Sequence, residues 1–467
     1  MCDCGVRYCS PECMGFDLVP HGLLCTAKVD SEAHPLVAFK VHAIQTNDMF
    51  LTGARMVALA LSDDASAKKF ENIQHAPWHD AVPCPADEPD PVQFAQDLKE
   101  LAEETRHLLE KAILLPQSEH ERVKTACGRF SDYLGCLELN QFEICIDPDD
   151  EPCGAGVFSM CCSANHDCSP NAEVVFTSKT NQATLRALRD IQPNEEICIS
   201  YVETELTLDE RRAELRDYGF VCACNRCQTE ERWSLQQVEL AKRVISDRCD
   251  EDFSCTRLGG FDISFPEDDR DPSVACFVVL SFPDLKVLYE KCQDVRLTEP
   301  YIPGFLAFRE APVCEEMLRD VPSNLRPDVL ILDGSGILHP RECGLASHIG
   351  VVCNIPTIGV SKKILAVDGL TREKIKKLVK KHVEKGKREI DLVGDSGRLR
   401  GRALVSPGAQ NAVFVSVGHR LNLATATDIV RKACEKTRVP APIRHADLTS
   451  REELRKRQKQ GSSSSSS

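Results

Sequence analysis

Apolar residues in the first half of the chain recur with the period of a helix. Between Pro91 and Leu115 they lie three or four positions apart, which predicts an amphipathic helix that covers a core. Asp90 is placed to cap this helix and Pro91 to begin it. The preceding His75–Pro89 is rich in proline and aspartate and predicts a loop. The apolar stripe consists of Phe94, Leu98, Leu101, Thr105, Leu108 and Ala112.

From Trp233 onward the pattern changes to helices that alternate with strands. Trp233–Ile245 predicts a helix, and Gly259–Phe265 alternates as a strand with Asp262 facing inward. Asp328–Leu332 is continuously apolar after its first residue, which is typical of a fully buried strand. Further strands are predicted at Cys276–Phe282, Lys286–Tyr289, Thr357–Val360 and Ala412–Val417. The alternation indicates an α/β fold with acidic residues at or near the strand ends.

Length and composition indicate a globular protein of several domains. The chain has 467 residues, of which 42% are hydrophobic and 28% charged, so two or three domains are expected. We see neither an apolar run long enough for a bilayer nor a secretory leader, and expect a soluble intracellular protein of the nucleus and/or cytoplasm. A net charge of −15 argues against nucleic-acid binding over the whole surface, but it permits a local basic groove.

A basic run at Arg372–Arg388 has two open interpretations. It is either a solvated helix face or a surface that follows phosphates. The glycine and serine residues at the end of the chain predict a low-complexity tail at residues 458–467. The lysines of the basic run are Lys374, Lys376, Lys377, Lys380, Lys381, Lys385 and Lys387.

Cysteine usage differs between the two halves. Of the 25 cysteines, 17 precede residue 230, and without a leader we favour zinc over disulfides. Two cysteine groups have the spacing of zinc sites. The second, Cys-x-Cys-x-x-Cys at Cys222, Cys224 and Cys227, provides three of the four ligands of a tetrahedral zinc site, and Cys168 could supply the fourth. The first group has the spacing of a zinc knuckle and consists of Cys4, Cys9, Cys13, His21 and Cys25.

These blocks resemble a known family. The first cysteine group resembles the second half of a MYND zinc finger. Asn165-His-x-Cys168, the Glu195–Tyr201 block and the later cysteines resemble the SET domain of MYND-containing lysine methyltransferases. The strand and Gly-x-Gly loop that precede the finger in that family have no match here, so an active enzyme and an inactive SET module both stay open. The resemblance implies S-adenosylmethionine contacts at Asn140, Asn165 and His166, and a lysine channel lined by Tyr201 and Phe220.

The chemistry expected in the second half centres on carboxylates at strand ends. Asp262 and Asp333, on neighbouring strands, could hold Mg²⁺ while leaving positions for water and a phosphate oxygen. Glu310 could position the water and Lys362 could neutralise charge on the phosphate. His419 could exchange protons at the scissile bond. A capping histidine and a solvated lysine are the structural alternatives for His419 and Lys362.

Five blocks in order resemble endonuclease V along the whole second half. They are Gly-Gly-Phe-Asp262-Ile-Ser-Phe, Pro-Tyr301-Ile-Pro-Gly-Phe-Leu-Ala-Phe-Arg-Glu310, Leu-Asp333-Gly-Ser-Gly-Ile-Leu-His339-Pro-Arg, Gly-Val-Ser-Lys362-Lys and Val-Gly-His419-Arg. The resemblance implies a ribonuclease H-like core that cleaves, with Mg²⁺, at the second phosphodiester 3′ of inosine. It makes Asp262 and Asp333 the metal ligands, with Glu310, Lys362 and His419 completing the catalytic set.

The Pro-Tyr-Ile-Pro block suggests how one base would be inspected. Two prolines hold Tyr301 and Ile302 in an extended shape, so little entropy is lost when they enter a stack from which a base has been removed. We assign Pro300, Tyr301, Ile302 and Pro303 to this wedge. Backbone amides near the glycines would favour the O6 of hypoxanthine over the amino group of adenine. The predicted base pocket contains Gly334, Gly336 and His339.

The predicted organisation is therefore a fusion of two modules. Residues 1–25 are a partial MYND finger, 26–230 a β-rich SET-like domain with a cysteine cluster, 231–457 an endonuclease V domain and 458–467 a tail. The expected cofactors are Mg²⁺, zinc and, if the SET module is active, S-adenosylmethionine. The expected partner is an inosine-containing DNA or RNA strand. A protein partner or histone-like substrate of the SET module, and a non-enzymatic adaptor carrying two inactive domains, are the alternatives.

Overall fold

The computed structural model describes most of the chain as two compact units. The described residues are 4–8, 10–62, 68, 73–85, 87–145, 153–176, 182–249, 253–266, 271–407, 411–434 and 437–464, with side chains described up to residue 458. The units are Met1–Gln228 and Thr229–Ser467. The predicted boundary at residues 230 and 231 lies within three residues of this division.

Helices dominate the described part of the first unit. Its core is formed largely by aromatic and aliphatic residues of these helices, with the ring of Phe50 packed edge-on against Trp78 at a centroid separation of 5.5 Å. The α-helices are α1 Pro11–Leu23, α2 Pro35–Thr46, α3 Met49–Ser62, α4 Trp78–Ala81, α5 Pro91–Ala112, α6 His120–Cys127, α7 Phe130–Asn140 and α8 Leu208–Leu215. Short 3-10 turns are found at Thr26–Lys28, Gln117–Glu119, Cys161–Ser163 and Arg216–Tyr218.

The strands of the first unit are short and pair only in twos. Among its described residues the pairs are β1–β2 and β4–β5, which are antiparallel, and β3–β6, which is parallel. The prediction of a β-rich domain is therefore wrong for the described residues, because most of their apolar surface is buried between helices. The strands are β1 Gln141–Glu143, β2 Ala155–Val157, β3 Asn165–His166, β4 Ala172–Phe176, β5 Ala183–Ala187 and β6 Cys198–Ile199.

The helix predicted at Pro91–Leu115 is confirmed as α5. The side chain of Asp90 accepts a hydrogen bond from the amide of Gln93 at 3.0 Å, which satisfies one of the free amides at the helix start. Thr105 and Ala112 of the predicted stripe are buried. The segment predicted as a loop before α5 contains the helical turn α4, because Trp78 anchors it in the core.

An eight-stranded mixed sheet forms the second unit. Its strand order is β12-β13-β14-β11-β10-β7-β8-β9, with β7, β10 and β11 parallel and the remaining neighbours antiparallel. The strands predicted from the sequence are each present. They are β7 Arg257–Ser264, β8 Ser273–Ser281, β9 Val287–Val295, β10 Val329–Asp333, β11 Thr357–Ser361, β12 Glu389–Val393, β13 Leu399–Leu404 and β14 Val413–His419.

Helices cover both faces of this sheet. Along β10, Leu330 and Leu332 pack against one helical layer, and Val329 and Ile331 against the other, which explains the continuous apolar run. The first layer contains α10 and α11, and the second contains α13 and α14. The helices are α9 Asn225–Ala241, α10 Leu306–Asp320, α11 Leu345–Cys353, α12 Arg372–Val383, α13 Leu423–Cys434 and α14 Ala441–Ser464, with a 3-10 turn at Ser323–Leu325.

The basic run and the end of the chain are both helical. Helix α12 buries Ile375 against β12 and β13 and leaves the lysines of the basic run exposed, so both interpretations of that run stay open. Helix α14 continues to Ser464, and the tail predicted at residues 458–467 is helical over its first seven residues. No helix within the described residues is long and apolar enough to cross a membrane.

Candidate active site and metal centres

Two aspartates lie at or near the ends of neighbouring parallel strands, Asp333 as the last residue of β10 and Asp262 two residues before the end of β7. Strands β7 and β10 pair with Leu332 opposite Phe261, so Asp262 and Asp333 follow at matching positions. Phe261 and Leu332 pack against the layer of α10 and α11. Because successive side chains alternate in direction, both aspartates face the layer that contains α14. The register of a parallel pair therefore brings together the two predicted metal ligands.

Two acidic residues of this site, Asp262 and Glu310, have raised pKa values. Burial, together with the negative charges of Asp447 and Asp333, raises the pKa of Asp262 to about 7. Burial and the charges of Asp262 and Asp333 raise the pKa of Glu310 to about 8. Glu310 lies on α10, one turn after its start. The negative charges of these carboxylates oppose one another, and a bound cation would neutralise them. Carboxylate oxygens are the ligands that a hard divalent cation such as Mg²⁺ prefers.

Lys362 places a cationic side chain beside the carboxylates. It follows β11 directly, and its Nζ donates to Oδ2 of Asp333 at 2.6 Å. The side chain is 47% exposed, so Lys362 combines an ion pair to Asp333 with access to solvent, and the solvated-lysine alternative stays open. This position lets the ammonium group reach an anion held at the strand ends.

Asp447 is an acidic residue that the sequence did not indicate. It lies on α14, lines an open groove of about 540 Å³ beside Asp262 and Asp333, and pairs with Arg451 at 2.7 Å. Its position in the middle of a polar helix carries no strand-end or glycine signal. Only the packing of α14 across β7 and β8 places Asp447 at the site.

The structure contradicts the role predicted for His419. Val360 near the end of β11 pairs with Asp333 of β10 and with Val415 of β14. His419 comes four residues after Val415 on an antiparallel strand, so it lies about 13 Å away toward the opposite edge of the sheet. It is buried, and its Nδ1 accepts a hydrogen bond from the amide of Ile245 at 3.2 Å. His419 is a structural residue, and its prediction as a proton exchanger is wrong.

The Pro-Tyr-Ile-Pro block is only partly available to a substrate. Tyr301 is 65% exposed, and Pro300 and Pro303 are also exposed. Ile302 is only 5% exposed and packs against Trp233 of α9. The prediction that Ile302 belongs to the wedge is therefore wrong, because this side chain anchors the block to the protein.

A pocket of about 440 Å³ lies between this block and the carboxylates. Gly334 and His339 line it as predicted, but Gly336 does not. The amide of Gly336 donates to Oγ of Ser416 at 2.8 Å, so it is not available to a base. The other lining residues are Gln237, Tyr301, Gly304, Leu306, Ala307, Asp333, Ser335, Gly344, Leu345, Ser361, Lys362, Lys363, Ile364 and Leu365.

The imidazole of His339 is held neutral inside the wall of this pocket. Its Nδ1 accepts from the amide of Arg341 at 3.2 Å, and its Nε2 donates to the carbonyl oxygen of Gly304 at 3.0 Å. Burial, assisted by the charge of Arg341, lowers the pKa of His339 to about 4. Both ring nitrogens are engaged with protein, so His339 shapes the pocket and offers it no free nitrogen.

The second unit matches known nucleases in sequence. The profile of the endonuclease V family matches residues 238–448. Human endonuclease V is 40% identical over 239 residues, which cover 49% of this chain and 84% of that protein. The chain belongs to the endonuclease V family. Its endonuclease V unit is thus a nuclease, an enzyme of the hydrolase class.

Other endonuclease V proteins match over the same unit. Endonuclease V of Dictyoglomus thermophilum is 35% identical over 225 residues, covering 48% of this chain and 90% of that protein. A crystal structure of Ciona intestinalis endonuclease V in complex with a 24mer DNA containing an inosine followed by a ribo-adenosine is 37% identical. It covers 49% of this chain and 99% of that chain, with a TM-score of 0.47. The family depends on a divalent metal, which the carboxylates of the endonuclease V unit fit.

The first unit brings four cysteines together as predicted. The sulfur atoms of Cys168, Cys222, Cys224 and Cys227 lie within 4.8 Å of one another, with Cys168 at 3.4 Å from Cys227 and 3.9 Å from Cys222. Four thiolates bound to zinc at about 2.3 Å in a tetrahedron are separated by about 3.8 Å, which agrees with these distances. The buried guanidinium of Arg211 donates from Nε to Sγ of Cys168 at 3.3 Å and favours the thiolate form.

The first predicted cysteine group, near the start of the chain, is only partly assembled among the described residues. Cys4, His21 and Cys25 form a group, with Sγ of Cys4 at 3.4 Å from Nε2 of His21. Cys13 is exposed and is not part of this group. Cys9 lies outside the described residues.

The two residues predicted for a lysine channel, Tyr201 and Phe220, come together with His166, which was predicted as a cofactor contact. The profile of the SET domain matches residues 87–202. The rings of His166 and Phe220 lie 5.3 and 6.4 Å from that of Tyr201, and Tyr218, which the sequence did not single out, lies 5.0 Å from it. Burial raises the pKa of Tyr201, whose hydroxyl donates to the carbonyl of Ala164 at 2.8 Å.

The predicted cofactor contacts of this module are engaged within the protein. The side-chain amide of Asn140, a buried residue, donates to the carbonyls of Gln74 and Cys136 at 2.7 and 2.9 Å. That of Asn165 donates to Glu196 at 2.6 Å. Both amide hydrogens of Asn140 are therefore used within the protein, and its contact with a cofactor stays a prediction.

Proposed function

We propose that the unit Thr229–Ser467 is a Mg²⁺-dependent endonuclease that cuts DNA or RNA strands on the 3′ side of inosine. One observation carries this proposal: Asp333 and Lys362 line both the pocket beside Tyr301 and the open groove beside Arg451. A base held in the pocket and a backbone followed along the groove would present a phosphodiester to the carboxylates between them. The inosine in the DNA bound to the Ciona relative supports the choice of base.

The carboxylates and the lysine divide the work of cleavage. Asp262, Asp333 and Asp447 would hold the cation, which when bound polarises the phosphodiester and lowers the pKa of a water molecule. Glu310 accepts a hydrogen bond from the attacking water and orients it toward phosphorus. Lys362, already beside Asp333, stabilises the charge that develops on the phosphate oxygens. We expect the cut at the second phosphodiester 3′ of the base.

The pocket wall favours a base with a carbonyl group. Two helices begin there, α10 with Leu306 and Ala307 and α11 with Leu345. The first amides of a helix have no partner within the helix and act as hydrogen-bond donors. Donors suit the O6 of hypoxanthine and oppose the amino group that adenine carries at the same position. The pocket would thus select inosine by its carbonyl oxygen.

Tyr301 provides the wedge that keeps the base out of the stack. Its exposed ring lies at the mouth of the same pocket. An aromatic ring that replaces an extruded base restores part of the stacking energy that the strand loses. Pro300 and Pro303 hold the backbone on either side and reduce the entropy lost on insertion.

The test compares strands and variants of the intact chain. DNA and RNA oligonucleotides with one inosine, and matched strands with adenosine, are incubated with Mg²⁺ and the parent, Asp333→Asn or Asp284→Asn. Asp284 is an exposed aspartate in the turn after β8 and serves as the control. We expect cleavage of the inosine strands by the parent and Asp284→Asn, and a loss of at least about 100-fold in Asp333→Asn. No cleavage of either inosine strand, or equal rates for all three proteins, would overturn the proposal.

Zinc is the proposed occupant of the cysteine groups in the first unit. Sulfur separations of 3.4 and 3.9 Å support one site at Cys168, Cys222, Cys224 and Cys227. We assign a second site to Cys4, His21 and Cys25, with the fourth ligand unassigned. Metal analysis of the purified chain should find zinc, and a chain that folds and purifies without it would contradict this assignment.

A second activity is suggested by the ring cluster of the first unit. The match to the SET profile and the grouping of His166, Tyr218 and Phe220 around Tyr201 favour a lysine channel. Calorimetric titration of the chain with S-adenosylmethionine tests this candidate. Saturable binding that Tyr201→Phe leaves intact while methyl transfer to a lysine peptide is lost would support it. If S-adenosylmethionine does not bind, the first unit is an inactive SET module. If the inosine strands are also not cleaved, the non-enzymatic adaptor is the alternative that is left.

A further inference from the structure

One carbonyl oxygen at the edge of the base pocket accepts three hydrogen bonds. Gly304, which follows the Pro-Tyr-Ile-Pro block, has φ of 82°, a conformation that favours glycine. Its oxygen receives Nε2 of Gln237 at 3.0 Å, Nε2 of His339 at 3.0 Å and a terminal nitrogen of Arg341 at 3.1 Å. Three donors on one carbonyl fix the direction of the peptide plane that ends the wedge block.

Gln237 is the donor in this group that comes from outside the two motif blocks. It lies on α9 and is only 1% exposed. Its amide nitrogen donates to the carbonyls of Gly304 and Cys343, and its oxygen accepts from Nε of Arg341 at 2.6 Å. Both amide hydrogens are thereby used, so Gln237 has no donor left for a base even though it lines the pocket.

The rest of α9 supports the block with apolar contacts. Trp233, one turn before Gln237, packs against Ile302 and Phe305. The helix therefore contacts the block at two points, an apolar one at Ile302 and a polar one at Gly304. Tyr301, which directly precedes the first of these points in the chain, is left exposed at the pocket.

We propose that Gln237 is a positioning residue for base extrusion, which holds the Gly304 carbonyl so that Tyr301 stays in the conformation that enters the stack. This inference rests on the proposed function. Gln237 lies one residue before the part of the chain that matches the family profile. Its side-chain hydrogen bonds go to Gly304, Cys343 and Arg341, and none goes to a carboxylate of the site. Its effect must therefore pass through the wedge block and appear where a base has to leave a duplex.

The test uses three variants of the full chain. Gln237→Leu removes all three hydrogen bonds of the side chain, and Gln237→Glu keeps the acceptor for Arg341 while it loses the donors to Gly304 and Cys343. Gln236→Leu makes the same change at the neighbouring exposed position and serves as the control. Single-turnover cleavage at saturating enzyme is measured with inosine paired in a duplex and with inosine in a single strand.

Paired and unpaired inosine separate positioning from general damage. We expect both Gln237 variants to cut the duplex about 10- to 100-fold more slowly than the parent, as for a misplaced positioning group. On the single strand, where little stacking has to be broken, the loss should stay within about threefold. Gln236→Leu should match the parent on both substrates.

A spectroscopic measurement checks base extrusion directly. 2-Aminopurine placed next to inosine fluoresces when its neighbour leaves the stack, and Asp333→Asn keeps the strand uncut during the measurement. The strand should show a fluorescence rise with Asp333→Asn, and we expect the double variant Asp333→Asn, Gln237→Leu to lose this rise.

Three results would overturn the inference. They are equal losses on duplex and single strand, parent-like cleavage by Gln237→Glu, and an unchanged fluorescence rise. If the parent itself cuts neither inosine strand, the proposed function fails first. If the parent cleaves and the Gln237 variants cleave equally fast, only the positioning role of Gln237 is rejected and the proposed function stands.

Discussion

The crowded carboxylates should make the endonuclease V unit less stable at high pH unless Mg²⁺ is bound. Burial and neighbouring negative charges raise the pKa of Asp262 from 3.8 to about 7. At low pH the group is protonated in both the folded and the unfolded chain and has no effect. Above the ordinary aspartate pKa of 3.8, Asp262 loses its proton in the unfolded chain but keeps it in the folded chain until the pH reaches about 7. The free energy of unfolding therefore decreases as the pH rises through this range.

The size of the effect follows from this shift in pKa. Between pH 5 and the folded-state pKa of about 7 lie about two pH units, each worth about 1.4 kcal/mol, so ionisation of Asp262 lowers the free energy of unfolding by about 3 kcal/mol between pH 5 and pH 8. Asp262→Asn removes this cost and also relieves Glu310, whose pKa is raised partly by the charge of Asp262. We therefore expect Asp262→Asn to raise the melting temperature of the metal-free unit at pH 8 by roughly 6–12 °C.

Calorimetry of the full chain in magnesium-free buffer at pH 5 and pH 8 measures this effect. The transition that shifts when Mg²⁺ is added to the parent identifies the endonuclease V unit. Asp284→Asn, which changes an exposed aspartate in the same unit, should behave as the parent. Mg²⁺ should stabilise the parent at pH 8 and stabilise Asp262→Asn much less. If Asp262→Asn lowered the melting temperature at pH 8, the reasoning about carboxylate repulsion would be refuted.

Three further predictions concern the wedge, the histidine of the pocket and the zinc site. Tyr301→Ala should weaken binding of an inosine strand about tenfold while the single-turnover rate at saturation stays within about threefold, and equal affinities in a fluorescence-anisotropy titration would contradict this. Because the folded state keeps His339 neutral down to a pKa of about 4, about 3 kcal/mol of stability should be lost as the pH falls from 6.5 to 4. His339→Gln should flatten this slope in urea unfolding, and parallel slopes would refute it. Cys224→Ser should remove one zinc ion per chain, whereas the exposed Cys84→Ser should not, and equal zinc contents would argue against the site.

Local sequence signals anticipated the parts of the site that depend on strand ends. Asp262 and Asp333 could be recognised because each belongs to an apolar strand, and neighbouring parallel strands end at one edge of a sheet. The cysteine cluster was equally accessible, since Cys-x-Cys-x-x-Cys places its thiolates within reach of one ion. In both cases a local feature marks the residues, a strand end for the aspartates and a short spacing for three of the four cysteines.

The errors arose where strand direction or packing decides. His419 ends an apolar strand just as Asp333 does, but β14 runs antiparallel to β11, which carries His419 to the opposite edge. Ile302 belongs to a block that reads as one apolar tip, yet the approach of Trp233 buries it and leaves Tyr301 exposed. Neither direction nor approach is encoded by the residues of the block itself.

The sequence by itself determined the α/β character of the second unit, the family to which it belongs and the two aspartates that head its site. Those features depend on short-range periodicity and on motif spacing, which a single chain displays directly. The tertiary structure decided that Asp447 joins these aspartates, that Ile302 is buried while Tyr301 stays exposed, and that Gln237 fixes the Gly304 carbonyl. Each depends on a helix packing against residues distant in the chain, and such contacts leave no pattern in the sequence around them.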